Sequence, residues 1–369
     1  MKLTGQIVLP DRVVSGEVVF DETGIHSITP RPDAGRRFIL PGFIDGHVHG
    51  GDGADTMDGV AAIHRLSRFH LTHGTTTILP TTITSPWPEV MDALRAVAEA
   101  RNTPPGNGPI IHGAHLEGPF VSPHKLGAQP PFAIPPTPDR VEEALETGIV
   151  RVVTLAPELD HADTAMRRFA QAGVRVSLGH TVAGYEETEQ AICCVCAAGG
   201  TIGATHLFNA MAPIQSRNPG PVTALMCSDA GYAEMIFDTH HVHPATFRLA
   251  SRVMGERLLF VTDAMRGAGQ AEGPSQLGGQ DVVIRDGAVR LPDGTLAGSV
   301  LTLDVALRNA VTVGGVSLPA ASRLTSTSPA AYLGLHDRGR IAPGLRADLV
   351  VMDEGFEVAE GFVEGGRVV

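Results

Sequence analysis

Lysine is nearly absent from this chain of 369 residues: only Lys2 and Lys125 occur, against 26 arginines. The formal net charge of -12 leaves no basic surface of the kind that binds the nucleic-acid backbone. No apolar run approaches the roughly 18 residues of a membrane-spanning helix, and the N-terminus lacks the apolar region of a signal peptide. We therefore expect no nucleic-acid partner and no membrane, and we predict a cytoplasmic protein.

Cysteine is also scarce, with four residues, three of them inside the apolar stretch AICCVCAAG. This stretch predicts a helix, and spacings of one and two residues place Cys193, Cys194 and Cys196 on different helix faces. The spacing argues against a zinc knuckle and against a disulfide framework. We expect these side chains to pack as small residues in a core.

The pattern of apolar residues divides the chain into two kinds of structure. Residues 1–41 and 341–369 alternate apolar and polar positions between turn signals, which indicates short antiparallel strands. Over residues 42–340, apolar β-branched runs alternate with amphipathic segments, which is typical of βα units around a parallel sheet. We predict an α/β fold: a (β/α)8 TIM-like barrel over 42–340, and a small β-sandwich domain formed by 1–41 and 341–369.

The barrel strands are predicted over residues 43–49, 75–82, 110–118, 150–157, 174–180, 203–208, 234–242 and 258–265. After the last of them, Asp-Gly pairs at 286–287 and 293–294 predict the turns of a β-hairpin insertion. The proline-rich segment 129–138 predicts an ordered loop over the mouth of the barrel.

Five of these runs stop at a residue that can bind a metal ion. The carboxyl ends of all strands in a parallel barrel meet at one face, so ligands far apart in sequence can converge there. His47 and His49 lie two residues apart on one strand and share a face. Glu117 ends an apolar run, where a charge is costly unless it is paired or bound to a cation. The full set is His47, His49, Glu117, His180, His206 and Asp263.

Imidazole and carboxylate are the usual ligands of zinc and iron(II), and manganese accepts them too. We expect one or two divalent ions per subunit, with zinc favoured. Some two-metal barrels bridge their ions with a carboxylated lysine at the end of strand four, but the predicted strand four, RVVTLAP, contains none. Glu117 is therefore the candidate bridge if two ions bind. Asp263, close to a metal-bound water, could accept and later deliver a proton.

Several motifs together resemble a known family: PGFIDGHVHGG, GAHLEGPFVSPHKLGAQ, SLGHT, THLFNAMAP, SRNPG, HHVHP, VTDAMRGAG and GTLAGS. They are similar to those of the N-acetylglucosamine-6-phosphate deacetylases of the amidohydrolase superfamily, nearly from end to end. HLEGPF and THLFNAM are specific to this family, whereas HxH marks only the superfamily. The resemblance implies hydrolysis of the acetamide of N-acetylglucosamine 6-phosphate to glucosamine 6-phosphate and acetate.

The resemblance also implies a division of the ligands. Glu117, His180 and His206 match the residues that hold the metal found throughout the family. His47 and His49 would hold a second ion, as in the members whose first motif has two histidines. Whether this second site is occupied stays open.

Roles in catalysis and in substrate binding come from the same resemblance. Asp263 matches the family's catalytic acid/base. Arg217 and His241 match positions that hold the sugar phosphate and hydroxyls, and in family dimers the counterpart of Arg217 reaches the neighbouring subunit, so a homodimer is expected. Gln129 and Thr239 replace a histidine and a glycine of other members. The substrate contacts implied by motif are Ala128, Gln129, Asn209, Ala210, Arg217, His241, Leu296, Ala297 and Gly298.

Two other hypotheses remain. The chain could be another amidohydrolase on the same barrel, acting on a cyclic amide, an acyl amino acid or a nucleobase. The missing bridging lysine and the matching motifs around Asn209 and Arg217 argue against it. A non-enzymatic scaffold would have lost ligands, and none of the six is lost.

Overall fold

The computed structural model describes residues 1–106 and 108–369. The strands of these residues, in chain order, are β1 (Lys2–Val8), β2 (Val13–Asp21), β3 (Gly24–Pro30), β4 (Phe38–Pro41), β5 (Phe43–Val48), β6 (Gly50–Gly51), β7 (Ala54–Asp55), β8 (Thr75–Pro80), β9 (Ile110–Ile111), β10 (Ala114–Glu117), β11 (Val150–Leu155), β12 (Arg175–Leu178), β13 (Ile202–Ala204), β14 (Ala233–Met235), β15 (Leu258–Phe260), β16 (Gly273–Leu277), β17 (Gln280–Arg285), β18 (Ala288–Arg290), β19 (Leu349–Met352), β20 (Val358–Val363) and β21 (Gly366–Arg367).

The α-helices lie mainly between the strands that follow β4. They are α1 (Val60–Thr72), α2 (Trp87–Asn102), α3 (Pro138–Glu146), α4 (Ala162–Gln171), α5 (Tyr185–Ala197), α6 (Gly220–Cys227), α7 (Pro244–Met254), α8 (Leu303–Asn309), α9 (Leu318–Ser322) and α10 (Ser328–Leu333). Short 3-10 segments cover Thr56–Asp58 and Gly255–Arg257, and π-helical turns cover Ala310–Gly314 and Arg323–Thr327.

The two ends of the chain form one seven-stranded sheet in the order β21-β20-β19-β4-β1-β2-β3. β1 pairs antiparallel with β2, and β4 pairs antiparallel with β19. This last pairing joins the N-terminal and C-terminal segments, and the apolar side of the sheet packs around its own core. The β domain expected from the alternating pattern at both ends is therefore present.

This sheet curls over on itself. The rings of Phe20 in β2 and Phe362 in β20 meet edge to face, with centroids 5.2 Å apart at 81°. In the sheet order, β2 and β20 are four strand positions apart, which would separate them by about 19 Å in a flat sheet. The contact between the two rings closes the β-domain core and ties the end of the chain to its beginning.

The region after β4 is of the α/β class, as predicted. β5, β8 and β9 pair in parallel, β10 to β13 form a parallel group, and β14 pairs in parallel with β15. Every residue of β5 and β8 is buried, as expected for parallel strands with helices packed over them.

A few hydrogen bonds and bridges link these groups at their edges. A parallel bridge joins Thr81 to His115, and the Ala204 amide donates to the Tyr232 carbonyl at 3.0 Å. The Asp263 amide donates to the His47 carbonyl at 2.9 Å. The last parallel strand is thereby connected to the first.

Three strands are much shorter than predicted. β13, β14 and β15 each end within three residues, whereas the apolar runs predicted strands over 203–208, 234–242 and 258–265. Pairing stops because the backbone turns to positive φ soon afterwards, at 33° for His206, 73° for Thr239 and 48° for Asp263. Of the apolar residues beyond these points, Leu207, Val242, Ala264 and Met265 are buried as loop, and Phe208 is half-buried.

The insertion after β15 contains the predicted hairpin plus one further strand, in a sheet of β16, β17 and β18. Asp286 and Gly287 link β17 to β18 with φ of 52° and 74°, as a type I′ turn requires. Leu277 and neighbouring apolar side chains of this sheet form a small core with Ile83. The insertion is therefore packed against the carboxyl end of β8.

The cysteine-bearing helix α5 differs in part from its prediction. Cys194 is buried, but Cys193 and Cys196 are exposed, so only one of the three packs in a core. All four cysteines are free thiols. None of the helices in the described residues combines the length and the apolar composition that a membrane crossing would need.

We predict that Phe362→Ala destabilises the protein by about 3–5 kcal/mol, because it leaves a cavity beside Phe20 in the β-domain core. Phe362 is 3% exposed. Chemical denaturation followed by circular dichroism measures the change. Val283→Ala, at a site 45% exposed, is the control and should change stability by less than about 0.5 kcal/mol. Equal effects of the two substitutions would contradict the role given to the ring contact.

Candidate metal centre and active site

The structure brings the six predicted metal and acid/base residues together at the carboxyl ends of the parallel strands. His47 lies in β5 with His49 just after it, and Glu117 is the last residue of β10. The other three follow β12, β13 and β15 by two or three residues. All six are buried, with at most 8% of any residue exposed: His47, His49, Glu117, His180, His206 and Asp263.

Three of these residues have a left-handed backbone. φ is 48° for His180, 33° for His206 and 48° for Asp263. For residues with a Cβ this conformation costs about 1–2 kcal/mol each. The turn stops the strand abruptly and directs each side chain toward the common centre. Such strain is characteristic of functional sites.

One group of ligand atoms surrounds Glu117 Oε1. This oxygen lies 3.2 Å from His180 Nε2 and 3.1 Å from His206 Nε2. The two imidazole nitrogens are themselves 3.0 Å apart. All three atoms thus converge on one point, as the ligands of a single ion do.

A second group lies on the other side of the same carboxylate. Glu117 Oε2 is 3.1 Å from His49 Nε2, which is 3.3 Å from His47 Nε2. Asp263 Oδ1 lies 3.2 Å from His49 Nε2 and 3.6 Å from His47 Nε2. Glu117 therefore offers one oxygen to each group, which is the arrangement expected of a bridging ligand.

The groups behind the imidazoles show that this donor set fits a cation. The Nδ1 atoms of His180 and His49 face the carbonyls of Lys125 at 3.1 Å and Thr81 at 3.2 Å. His47 Nδ1 faces a carboxylate oxygen of Glu234 at 3.0 Å. These oxygens only accept hydrogen bonds, so Nδ1 carries the proton and Nε2 keeps its lone pair. Lone pairs and carboxylate oxygens that converge in this way suit a divalent metal ion.

The electrostatics of the cluster favour positive charge. Burial lowers the pKa of His49, but the Asp263 and Glu117 carboxylates outweigh it and raise this pKa to about 9. Burial raises the pKa of Glu117, but the charge of His47 and the hydrogen bonds of His180 and His206 hold it well below its usual value. The carboxylates therefore stay ionised inside the protein, and the positive charge that compensates them is a proton on these histidines or, in its place, a divalent cation.

Gln129, predicted as a substrate contact, has both ends of its amide engaged in the protein. Its Nε2 donates to Glu117 Oε2 at 2.6 Å, and its Oε1 accepts from the Thr84 amide at 2.7 Å. The side chain borders the cavity and holds Glu117 in place. Its donor points at Glu117, not at the open space.

A cavity of about 200 Å³ opens over the cluster. The sequence-predicted substrate contacts that line it are Ala128, Gln129, Asn209, Ala210, His241, Leu296 and Gly298. His241 is held by Asp238, whose Oδ2 accepts from His241 Nδ1 at 2.7 Å. Ile83 and Leu277 form an apolar part of the wall.

Two predicted contacts do not line this cavity within the described part of the chain. Ala297 is fully buried behind it, and its amide donates to the Val289 carbonyl. Arg217 lies in an exposed loop. Arg217 therefore does not line this cavity.

Sequence reasoning missed several residues near the site. Asp238 and Glu234 each support a histidine, and Ile83 and Leu277 line the cavity. Glu234 carried a signal, because it is a charged residue inside the apolar run YAEMIF. The two apolar residues carried none, since apolar wall residues and core residues look alike in sequence.

Buried imidazole and carboxylate ligands at the carboxyl ends of parallel strands, below a cavity, are typical of metal-dependent hydrolases. The model described as the amidohydrolase family matches residues 38–368, and the chain belongs to this family. The superfamily resemblance seen in the motifs is therefore confirmed.

Three relatives illustrate the similarity. The chain is 36% identical over 361 residues to an N-acetylgalactosamine-6-phosphate deacetylase of Escherichia coli O157:H7, covering 96% of this chain and 93% of that protein. It is 37% identical over 356 residues to the N-acetylglucosamine-6-phosphate deacetylase of Homo sapiens, covering 92% and 85%. A mutant N-acetyl-D-glucosamine-6-phosphate deacetylase of Mycobacterium smegmatis, solved in complex with N-acetyl-D-glucosamine-6-phosphate, gives a TM-score of 0.92 at 33% identity, covering 100% and 99%.

Thr239→Gly should stabilise the protein by about 0.5–1 kcal/mol, because glycine removes the cost of the left-handed backbone at φ 73° and loses only part of that gain to chain entropy. The turn itself persists, since Asp238 Oδ1 accepts from the amides of His240 and His241 at 2.8 Å. Thermal and chemical unfolding measure the shift. Thr164→Gly, on an exposed position of α4, is the matched control and should destabilise by about 0.5 kcal/mol. Destabilisation by both changes would refute the strain assigned to Thr239.

Proposed function

We propose that this protein hydrolyses the acetamide of N-acetylglucosamine 6-phosphate to glucosamine 6-phosphate and acetate. One observation carries the proposal: Glu117, His180, His206 and Asp263 converge at the floor of one cavity, in a chain whose deacetylase relatives match nearly its whole length. Its structural relative from Mycobacterium smegmatis, which matches all of this chain, was solved with that same sugar phosphate.

We propose that residues 42–340 form a closed (β/α)8 barrel and that residues 1–41 and 341–369 form a β-sandwich. In support of closure, hydrogen bonds or bridges link the parallel groups, including the bond from Asp263 back to His47. The contact between Phe20 and Phe362 supports a sheet folded into two layers. The cytoplasmic location stays a prediction.

The donor set supports one divalent ion held by Glu117, His180 and His206, and a second held by His47 and His49 with Glu117 as the bridge. Zinc is the favoured ion on ligand type, and iron or manganese fits the same ligands. A divalent ion in this position supplies Lewis-acid chemistry, polarising the acetyl carbonyl and lowering the pKa of water.

Asp263 is the proposed acid/base. Burial raises its pKa, but the charge of His47 and the hydrogen bond and charge of His49 outweigh burial and lower it, so the carboxylate is ionised and able to accept a proton. It takes the proton of the attacking water as the water oxygen bonds to the acetyl carbon. When the C–N bond breaks, Asp263 delivers that proton to the amine nitrogen, which would otherwise be a poor leaving group.

The remaining cavity residues position the sugar. Asn209 and Ala210 follow His206 by three and four residues and line the same cavity, so any group they hold lies close to the reacting amide. His241 is oriented by Asp238, and Leu296 and Gly298 belong to the loop on the other side. Binding energy from the distant phosphate holds the amide in place for attack.

We propose a homodimer in which Arg217 reaches the active site of the neighbouring subunit and grips the phosphate. A guanidinium suits phosphate oxygens because it donates hydrogen bonds in a planar fork. Arg217 lies in an exposed loop, and Ile214 in the same loop is 49% exposed. Burial of this loop against a second subunit would remove the exposed apolar side chain from water.

A second candidate substrate is the epimer N-acetylgalactosamine 6-phosphate. One specific observation favours it: the relative from Escherichia coli O157:H7, 36% identical over 361 residues, carries that name. The two sugars differ only in the orientation of one hydroxyl, so the same metal centre and the same Asp263 would serve both.

The substrate assay compares N-acetylglucosamine 6-phosphate, N-acetylgalactosamine 6-phosphate and unphosphorylated N-acetylglucosamine. We expect kcat/KM at least about 100-fold higher for a phosphorylated sugar than for the unphosphorylated one, since a charge-assisted contact contributes about 1.5–3 kcal/mol and the phosphate has several acceptors. Arg217→Ala should remove most of this preference, and Arg12→Ala, in the β domain, should not. Equal rates with and without phosphate would refute a phosphate site. Faster turnover of the galactosamine epimer would transfer the proposal to that sugar.

Asp263→Asn should lower kcat by about 10²–10⁴, because the amide cannot accept or deliver the proton. Metal analysis should still find the ion of Glu117, His180 and His206, which separates loss of proton transfer from loss of metal. Asp281→Asn, on an exposed position of β17, is the matched control and should keep wild-type turnover. Full activity of the Asp263 variant would remove it from the acid/base role.

A further inference from the structure

Glu234 is a buried carboxylate with no role in the proposed reaction. It lies in β14, a strand that holds none of the six predicted metal and acid/base residues, and is 1% exposed. Its Oε2 accepts from His47 Nδ1 at 3.0 Å, and its Oε1 has no hydrogen-bond partner among the described residues. A carboxylate removed from water in this way is costly unless positive charge compensates it.

The ring of His47 connects this carboxylate to the candidate metal centre. On the far side of the ring, His47 Nε2 lies 3.5 Å from Glu117 Oε1 and 3.6 Å from Asp263 Oδ1. Because His47 Nδ1 donates a hydrogen bond to Glu234 Oε2, the Nε2 lone pair is directed at these oxygens. A negative partner behind the ring also makes Nε2 a stronger ligand.

His47 is supported differently from the other histidines. The Nδ1 atoms of His49 and His180 donate to main-chain carbonyls, which any residue supplies, and His206 Nδ1 has no partner among the described residues. The tautomer of His47 depends on a single side chain with a full negative charge. The second contact of Glu234 Oε2, from the His206 amide, is long at 3.4 Å, so the effect of this carboxylate is concentrated on His47.

We infer that Glu234 is a positioning residue that holds His47 ready to bind a metal ion, and that its charge makes the site of His47 and His49 bind a second divalent cation. The inference rests on the proposed metal centre. The cation compensates the buried charge of Glu234 across the ring of His47. Glu234 in turn makes His47 Nε2 a stronger metal ligand. Replacing Glu234 should therefore weaken one metal site and spare the other.

The test titrates metal-free protein with Zn²⁺ in competition with a chromophoric chelator, which resolves two classes of site. Wild type should bind two ions per subunit. Glu234→Gln, which keeps the side-chain volume, and Glu234→Leu should keep the tighter ion and bind the second about 10–100-fold more weakly, with the larger loss for leucine. Ser177→Ala is the matched control: Ser177 is a buried residue whose Oγ accepts from Thr205 at 2.7 Å, and its loss should leave both affinities unchanged.

Thermal unfolding of the metal-free variants accompanies the titration, because a purely structural role would lower the melting temperature and weaken both sites together. That result would overturn the inference, as would unchanged affinity for two ions in Glu234→Leu. Binding of a single ion by wild type would also overturn it, yet would leave a one-metal deacetylase intact. The proposed function is tested separately, by assaying deacetylation by the wild-type protein with both ions bound. Absence of deacetylation in that assay would refute the function and not the inference about Glu234.

Discussion

An ionised carboxylate without access to water, Glu117, is the constraint on which the site depends. Its two oxygens face the Nε2 atoms of histidines at 3.1–3.2 Å. His49 and His180 keep their lone pairs directed at it because the carbonyls of Thr81 and Lys125 accept from the other ring nitrogen. Gln129 donates to one oxygen of the carboxylate, but its negative charge and the ring lone pairs still need positive charge between them. The need for a cation is thus built into the protein by hydrogen bonds that lie outside the centre.

Packing in the rest of the fold offsets the backbone strain at the metal site. His180, His206 and Asp263 each have positive φ, which together costs about 3–6 kcal/mol. Short buried strands with helices packed over them supply the burial that offsets this strain. The candidate metal ligands lie at or just after the ends of the parallel strands. The rigid strands therefore extend to the residues whose side chains must be held in position. The inserted sheet β16 to β18 completes the cavity by packing against Ile83.

The class of fold and the candidate ligands were accessible from sequence because both rest on local patterns. An apolar run that ends in His, Glu or Asp is visible within a few residues, and a parallel sheet then brings such ends together. Glu234 shows where this reasoning stops. Its neighbours in sequence indicate only a strand, and its partner His47 is 187 residues away. Arg217 shows a second limit, since its sequence motif did not reveal that it lies in an exposed loop outside the cavity lining.

The sequence by itself determined the α/β class, the β domain at the two ends, and the identity of the residues that converge at the strand ends. These follow from periodicity and from the chemistry of side chains. Only the tertiary structure decided where β13, β14 and β15 stop, how Glu117 divides its oxygens between two groups, and that Gln129 and Glu234 hold ligands in place. The physical reason is that backbone φ at a strand end and distances of about 3 Å between side chains are set by packing between distant segments, which no local pattern records.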